Sequence, residues 1–486
     1  MEIHCSNLGP EFAQLVKDTI QAHQPVGHTG VAIAVVKDGK LAFAGGYGYR
    51  DRGTQAKVNA ETCFAVGSAT KAFTSMAIAI LVEEGKLNLD VPVQQLLPDF
   101  QMKDPQASSQ TTLRDILCHR TGLAPHNALW YIGPFDRSEL FYRLRYLDSV
   151  PVKGGGPAFR TQFVYNNLMY GVAGHLLEML LGVSYEDILE GRIFGPLGLS
   201  ATSLSLADLT CSANYAKGYE LADELPLKNW ENIGAAAEIN SNVLDMAKWV
   251  LLFLRKGLTS TGSVLVSRTA LEHMYDPLIA TDDGAGSGYG LGWYVGTVQS
   301  QLADKRIIFH PGDADGNAAY VSFMPDEGLG VIVLSNQHCS RNLVEIWPNR
   351  VATAIYDHLL HAQATGQLVL PPRPTQTVAA AGAAPMAAPA VPPAIAAGDY
   401  TGMFSNPGYG DMAVSRSGNN LNISYYGMTW PLKPLTDTLF RFDVLAFGTD
   451  FPVFVQFVRG SSGAIESFNA PLVVMPSVIL IPFVKR

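Results

Sequence analysis

Ser68-Ala69-Thr70-Lys71 is the single S-x-x-K tetrad in the chain. A serine hydroxyl is a poor nucleophile until a neighbouring base takes its proton. Lysine serves as that base only where burial or nearby positive charge lowers its pKa. If Ser68 opens a helix, Lys71 lies one turn on, on the same face and within reach of the hydroxyl. The hydroxyl then sits at the positive end of the helix dipole, which favours an oxyanion formed on attack. An isolated S-x-x-K is more often a helix cap beside a surface lysine. Here the residues after it, Ala72 to Val82, are too apolar for Lys71 to belong to an ordinary exposed turn.

Two further groups carry chemistry. Tyr165-Asn166-Asn167 is the only Y-x-N triplet and precedes an apolar helical stretch. A phenol between serine and lysine can relay a proton to a leaving group, and the Asn167 amide can hold a substrate carbonyl or orient the lysine. His310-Pro311-Gly312 is the third group; histidine titrates near neutrality, and Gly312 would let a substrate lie close to the backbone. His28-Thr29-Gly30 has the same H-x-G form but precedes the nucleophile and the first strand, so chain order argues against it.

These residues need a scaffold. Val31 to Val36 is a β-branched run that turns at Asp38-Gly39 and resumes at Leu41 to Ala44, the pattern of a hairpin in a buried antiparallel sheet. A helix is expected over Ala72 to Val82, with Gly85 in the place of a C-terminal cap. Further helices are expected over Thr112 to Cys118, Arg137 to Leu147, Asn167 to Leu181 and Val243 to Lys256, each with apolar residues three and four apart. Strands return at Ala318 to Met324 and Gly330 to Ser335, and a last helix opens at Pro348 and runs to about Leu360. The sheet therefore has first and last parts distant in sequence.

Residues 374 to 397 are mostly Ala, Pro, Val and Gly without apolar periodicity, which reads as a linker between a domain over 1–373 and one over 398–486. Beyond it, Met412 to Val414, Leu421 to Tyr426, Thr438 to Phe442 and Phe451 to Val458 are short strands between turns, the pattern of a small antiparallel β-barrel.

Composition excludes several classes. The chain has 486 residues, 48% hydrophobic and 16% charged, with a net charge of −9 and no basic block of the kind that tracks a phosphate backbone, so nucleic acid is not an expected partner. Cys5, Cys63, Cys118, Cys211 and Cys339 are scattered and odd in number, which suggests buried free thiols rather than disulfides or a zinc site. Asp313 and Asp315 alone make no ligand set, so neither metal nor other cofactor is expected. The polar start, Met1 to Cys5, does not read as a secretion signal, and no segment has membrane-span length; the expectation is a cytoplasmic protein.

Taken in order, the motifs resemble those of the serine β-lactamase and penicillin-binding-protein superfamily, in particular the class C-like branch of esterases and D-amino-acid peptidases. Leu117-Cys118-His119-Arg120-Thr121-Gly122-Leu123, Ile193 to Leu199 and Tyr289-Gly290-Leu291-Gly292-Trp293 are similar to phrases of that branch, and the likeness spans roughly residues 10 to 365. It implies an α/β fold, an antiparallel sheet flanked by helices with a helical domain packed on it and the active site between. The terminal barrel resembles the lipocalin-like domain appended to some members. The resemblance also implies an oxyanion hole made by the backbone N–H groups of Ser68 and Asp313. Where that superfamily has K-T-G, this chain has His310-Pro311-Gly312, which argues against efficient β-lactam hydrolysis.

The expected activity is acyl transfer through an acyl-enzyme on Ser68, with Lys71, Tyr165, Asn167 and His310 at the site. Substrates would be small molecules or peptides, including those with D residues. Carboxylesterase, β-lactamase, a peptide-releasing or cyclising acyltransferase and a non-catalytic penicillin-binding-like protein are the alternatives. A homo-oligomer is compatible with all of them. No G-x-S-x-G elbow of an α/β-hydrolase is present.

Overall fold

Alternation along Val31–Lys37 divides its side chains between two faces, and the computed structural model shows a different core on each. Val31, Ile33 and Val35 join one core with Phe12, Leu15, Val351 and Ile355, whereas Ala32, Ala34 and Val36 join another with Phe73, Met76 and Val250. A strand covered on both sides reads as a continuous apolar run, as this one does. The structure describes residues 1–24, 30–152, 155, 158–220, 222–281, 288–298, 304–314, 316–338, 347–365, 400–418, 420–446, 449–473 and 479–486. The expected linker over 374–397, together with His28, Thr29, Asp315 and Cys339, lies outside them.

The main sheet contains β1 (Glu2–Ser6), β2 (Val31–Lys37), β3 (Lys40–Tyr47), β4 (Gly288–Tyr289), β5 (Tyr294–Val298), β6 (Lys305–Ala314), β7 (Asn317–Met324) and β8 (Leu329–Ser335). They lie in the order β1-β3-β2-β8-β7-β6-β5-β4, all antiparallel. The β2–β3 turn is made by Asp38 and Gly39, both at positive φ (52° and 70°), the conformation a two-residue hairpin loop requires. Pairing of β2 with β8, Val31 opposite Ser335 and Lys37 opposite Leu329, closes the sheet across the length of the domain.

Of the longer helices, α1 (Pro10–His23), α2 (Thr70–Glu83), α4 (Val243–Leu254) and α5 (Trp347–Thr365) pack around this sheet, and α3 (Asn167–Leu181) packs on α2 within the helical region. α1 and α5 pack on one face, α4 on the other, and α2 lies in the second core between sheet and helical region. α2 ends at Glu83, with Gly85 at φ 69° just beyond. The expected helices at 112–118 and 137–147 are shorter, Leu113–Leu117 and Arg137–Arg143 with a 3-10 turn to Tyr146; both open on capping boxes, at Thr112 and Asp136.

Beyond residue 400, eight strands form a closed barrel: β9 (Gly402–Asn406), β10 (Gly410–Ser417), β11 (Asn420–Tyr425), β12 (Met428–Pro434), β13 (Leu439–Ala446), β14 (Thr449–Arg459), β15 (Ile465–Val473) and β16 (Ile479–Lys485). Sequence reading finds four of them; β9, β12, β15 and β16 were not anticipated. Closure comes from β9 on β16, Phe404 opposite Lys485. The barrel docks on the helical region through buried Tyr409, whose hydroxyl lies 2.7 Å from His126 Nδ1, and through Arg143, which donates to the Gly408 carbonyl at 2.7 Å. Among the described residues no single helix is long and apolar enough to cross a membrane. Of the described cysteines, Cys63 and Cys118 are buried as expected, while Cys211 is exposed.

One buried carboxylate ties the helical region together beside the site. Asp115 is fully buried; Arg120 Nε reaches its Oδ1 at 2.6 Å and Arg160 Nη2 its Oδ2 at 2.7 Å, and Thr112 donates to it from main chain and side chain. Burial by itself would raise this carboxyl, but the guanidinium and threonine hydrogen bonds outweigh it and hold the pKa below the usual carboxylate value. Its contribution is therefore complete above the ordinary carboxylate pKa and fades as acid protonates it. Asp115→Asn is expected to lower unfolding free energy by about 3 kcal/mol, since two guanidinium groups lose their buried counter-charge. Urea denaturation at pH 7 checks this, and a loss below about 1 kcal/mol would show the arginines to be solvated instead.

Candidate active site

Ser68 lies in a 3-10 turn, Gly67–Ala69, that runs directly into α2. The turn is pinned from both sides. Thr70 Oγ1 donates to the Gly67 carbonyl at 2.7 Å and accepts from the Ile239 N–H at 3.1 Å. Gly67 is at φ 51°, and a Cβ there would stand 2.5 Å from the Asp313 carbonyl oxygen and 2.7 Å from its nitrogen. A Cβ on Gly312 would stand 1.9 Å from the Val66 carbonyl oxygen. The two glycines thus let β6 and the nucleophile's turn touch backbone to backbone. The room that a side chain at Gly312 would need is taken by the Val66 carbonyl.

Lys71 is wholly buried. Its Nζ lies 3.0 Å from Ser68 Oγ, 2.7 Å from Asn167 Oδ1 and 3.0 Å from the Ala236 carbonyl oxygen. Burial holds its pKa well below the ordinary lysine value, with no neighbouring cation needed as a cause. Of the two roles open to Asn167, the contact places its amide oxygen on the lysine. Ala236 has no sequence signature, because the contact is made by its main chain.

Tyr165 lies across Lys71, with Nζ 4.6 Å from its ring centroid, and its ring stands 4.3 Å from the His119 ring. His119 Nδ1 accepts the Asn166 N–H at 3.1 Å, and the Asn166 amide donates to the Leu123 and Ala124 carbonyls at 3.0 and 2.9 Å while its oxygen caps α3. The segment around Leu117 to Leu123 therefore positions the Y-x-N triplet. The Asp115 clamp acts on the same piece, since the Arg160 and Val164 N–H groups donate to the Arg120 and His119 carbonyls.

His310, on β6, is fully buried, with Nδ1 2.6 Å from the Pro311 carbonyl oxygen and Nε2 2.9 Å from the Tyr289 hydroxyl. A carbonyl only accepts, so Nδ1 carries the proton and Nε2 accepts from Tyr289. Burial, reinforced by Lys71, pushes the imidazole pKa down to about 3. Titration near neutrality, expected from the residue type, is thus replaced by a neutral ring, and Tyr289 is a site residue that sequence reading saw only as part of a glycine-rich phrase. The profile of kcat/KM between pH 5 and 8 is expected to keep its shape in His310→Asn. Disappearance of an ionisation near 6.5 in that variant would show that the wild-type ring titrates after all.

Ser68, Lys71, Tyr165, Asn167 and His310 are therefore brought together between α2, α3 and β6, and the Asp313 backbone lies against the turn of Ser68. Among the described residues no three His, Cys, Asp or Glu side chains gather as metal ligands would. Comparison with known proteins gives a consistent picture. The family model described as Beta-lactamase matches residues 14–354. The chain is 32% identical over 374 residues to the unguisins hydrolase ungD' of Aspergillus campestris, covering 73% of this chain and 65% of that protein, so it spans just under two thirds of that relative. In fold it is similar to an octameric penicillin-binding protein homologue from Pyrococcus abyssi, with 20% identity, a TM-score of 0.61 and coverage of 98% of this chain and 99% of the other. It is also similar to a class C beta lactamase from Rhodobacter sphaeroides, with 23% identity, a TM-score of 0.57 and coverage of 72% and 99%.

Proposed function

The chain belongs to the beta-lactamase family, and on that premise we propose that it hydrolyses amide or ester bonds, those of peptides first, through an acyl-enzyme on Ser68. The observation that carries this reading is the three-way contact of Lys71. A neutral amine has two N–H groups and one lone pair; Asn167 Oδ1 and the Ala236 carbonyl accept the two, which leaves the lone pair for the Ser68 hydroxyl at 3.0 Å. Ser68 then attacks the substrate carbonyl as its proton passes to Lys71. The carbonyl oxygen becomes an oxyanion facing the backbone N–H groups of Ser68 and Asp313 at the start of α2. Tyr165, lying over Lys71, delivers the proton to the leaving group. Water, or an amine in the transfer variant of the reaction, releases the acyl group by the reverse path. The fungal relative is named as a hydrolase, which supports water as acceptor.

His310 bears on the substrate class. A neutral ring engaged by Tyr289 offers no fixed positive charge where the related motif has lysine, which supports uncharged groups around the scissile bond over a carboxylate. Similarity to an octameric homologue supports a homo-oligomer for this chain.

Labelling tests the proposal. Protein treated with a fluorophosphonate is expected to gain one adduct, located on Ser68 by tryptic mass spectrometry, with fluorescent penicillin reacting far more slowly. An adduct on another residue, or none, would remove Ser68 as nucleophile.

A further inference from the structure

Tyr409 reaches out of the barrel into the helical region. It lies in the turn between β9 and β10 and is buried. The barrel itself sets its backbone: Asn406 Oδ1 accepts the Gly408 and Tyr409 N–H groups at 2.8 and 3.0 Å, and the Tyr425 hydroxyl donates to the Tyr409 carbonyl at 2.8 Å. The Tyr409 hydroxyl meets His126 Nδ1, while His126 Nε2 lies 2.8 Å from the Asp148 carbonyl oxygen. A carbonyl only accepts, so Nε2 carries the proton and Nδ1 accepts from Tyr409.

His126 is held in a left-handed backbone conformation, φ 44° and ψ 41°. A residue other than glycine keeps that conformation where its surroundings fix it, and both ring nitrogens of His126 are engaged, one of them by the barrel. His126 ends a stretch whose outer edge is pinned by the Val150 N–H on the Gly122 carbonyl and the Ala124 N–H on the Asp148 carbonyl. On the inner edge the Leu123 and Ala124 carbonyls accept the Asn166 amide. Asn166 directly follows Tyr165. Between Ala124 and His126 stands Pro125, whose ring fixes φ, so a displacement of His126 passes to the Ala124 carbonyl with little slack. An unbroken run of contacts thus leads from the Tyr409 hydroxyl through the His126 ring and the Asn166 amide to Tyr165.

We propose that Tyr409 is a positioning residue for Tyr165: by holding His126 it fixes the carbonyls on which Asn166 hangs, and so keeps the phenol in its place over Lys71. The inference rests on the proposed role of Tyr165 as proton donor to the leaving group. The barrel then serves the reaction without touching substrate. A displacement of about 1 Å at a reacting group is enough to cost on the order of 10²-fold in rate, so a remote hydrogen bond that removes slack has a kinetic effect.

Tyr409→Phe removes this hydrogen bond and leaves the barrel docked. Arg143 still donates to the Gly408 carbonyl and lies over the Phe135 ring, 3.6 Å from its centroid, and Phe135 meets Tyr426 edge-on at 5.1 Å. The test compares two esters of one acid. The p-nitrophenyl ester loses its leaving group as an anion, whereas the ethyl ester needs its leaving group protonated. Tyr409→Phe is expected to lower kcat/KM about tenfold on the ethyl ester and less than about twofold on the p-nitrophenyl ester. In a Tyr165→Phe background the same change is expected to cost neither ester anything further. A barrel that only stabilised the fold would lower both esters alike in both backgrounds.

Where Tyr165→Phe itself slows the ethyl ester, three results would each overturn the proposal: equal losses on the two esters in Tyr409→Phe, no loss on the ethyl ester, or a loss that persists in the Tyr165→Phe background. A second measurement needs no turnover. With fluorotyrosine introduced at position 165 alone, the fluorine NMR resonance is expected to move or broaden on Tyr409→Phe, and an unchanged resonance would also overturn the proposal. Where Tyr165→Phe spares the ethyl ester, the reading of Tyr165 as proton donor falls, and the resonance by itself decides whether Tyr409 positions the ring.

Discussion

Ser68→Ala is expected to lower kcat/KM at least about 10⁴-fold on every ester and amide substrate, with the melting temperature unchanged within a degree or two. The size follows from the mechanism: without the hydroxyl no acyl-enzyme forms, and what survives is binding and oxyanion stabilisation of direct attack by water. The fold should not suffer, because Ser68 is held by its neighbours rather than the reverse; Thr70 and the two glycines fix the turn. Removing Oγ leaves Lys71 with Asn167 and Ala236. Burst kinetics with a p-nitrophenyl ester measure it. A variant with a burst and more than a tenth of wild-type turnover would mean that another residue carries the acyl group.

Lys71→Ala and Tyr165→Phe form the second prediction. Each is expected to slow acylation by roughly 10²- to 10⁴-fold, the range over which a positioned acid or base acts. Their combination should be little worse than the worse single variant. In the proposed mechanism one proton path runs through Ser68, Lys71 and Tyr165, so breaking it twice costs little more than breaking it once; Nζ lies 3.0 Å from Ser68 Oγ and 4.6 Å from the Tyr165 ring centroid. Single-turnover stopped-flow on the four proteins gives the comparison. Losses that multiply would assign the two residues to separate steps. Lys71→Ala also empties a buried space lined by Asn167 and Ala236, so unfolding should be followed alongside the rate to separate a lost base from a loosened fold.

What the sequence by itself determined lies within a few residues of chain. The β-branched run Val31 to Val36, the Asp38-Gly39 turn, the bounds of Asn167–Leu181 and the S-x-x-K spacing that puts Lys71 one turn from Ser68 all express local backbone and side-chain preference, and each stands in the folded protein as read. Barrel strands such as Met428–Pro434 and Ile465–Val473 were less legible, because prolines and short alternation blur a strand whose pairing is set by neighbours. Burial and the contacts it brings were decided by the tertiary structure alone. As a residue type His310 titrates near neutrality, yet the sheet closes it off from water and Tyr289, from another strand, takes its Nε2. Gly312 faces Val66, and Lys71 finds a third partner in a main-chain carbonyl that any residue at position 236 would provide. Glu238 reads as an ordinary charged residue until the packing of 234–241 beside α2 and α3 buries it with no donor among the described residues. The reason is common to all four. A residue type fixes which protons and lone pairs are available, whereas the energy of placing charge on them depends on solvent exclusion and on groups brought from elsewhere in the chain.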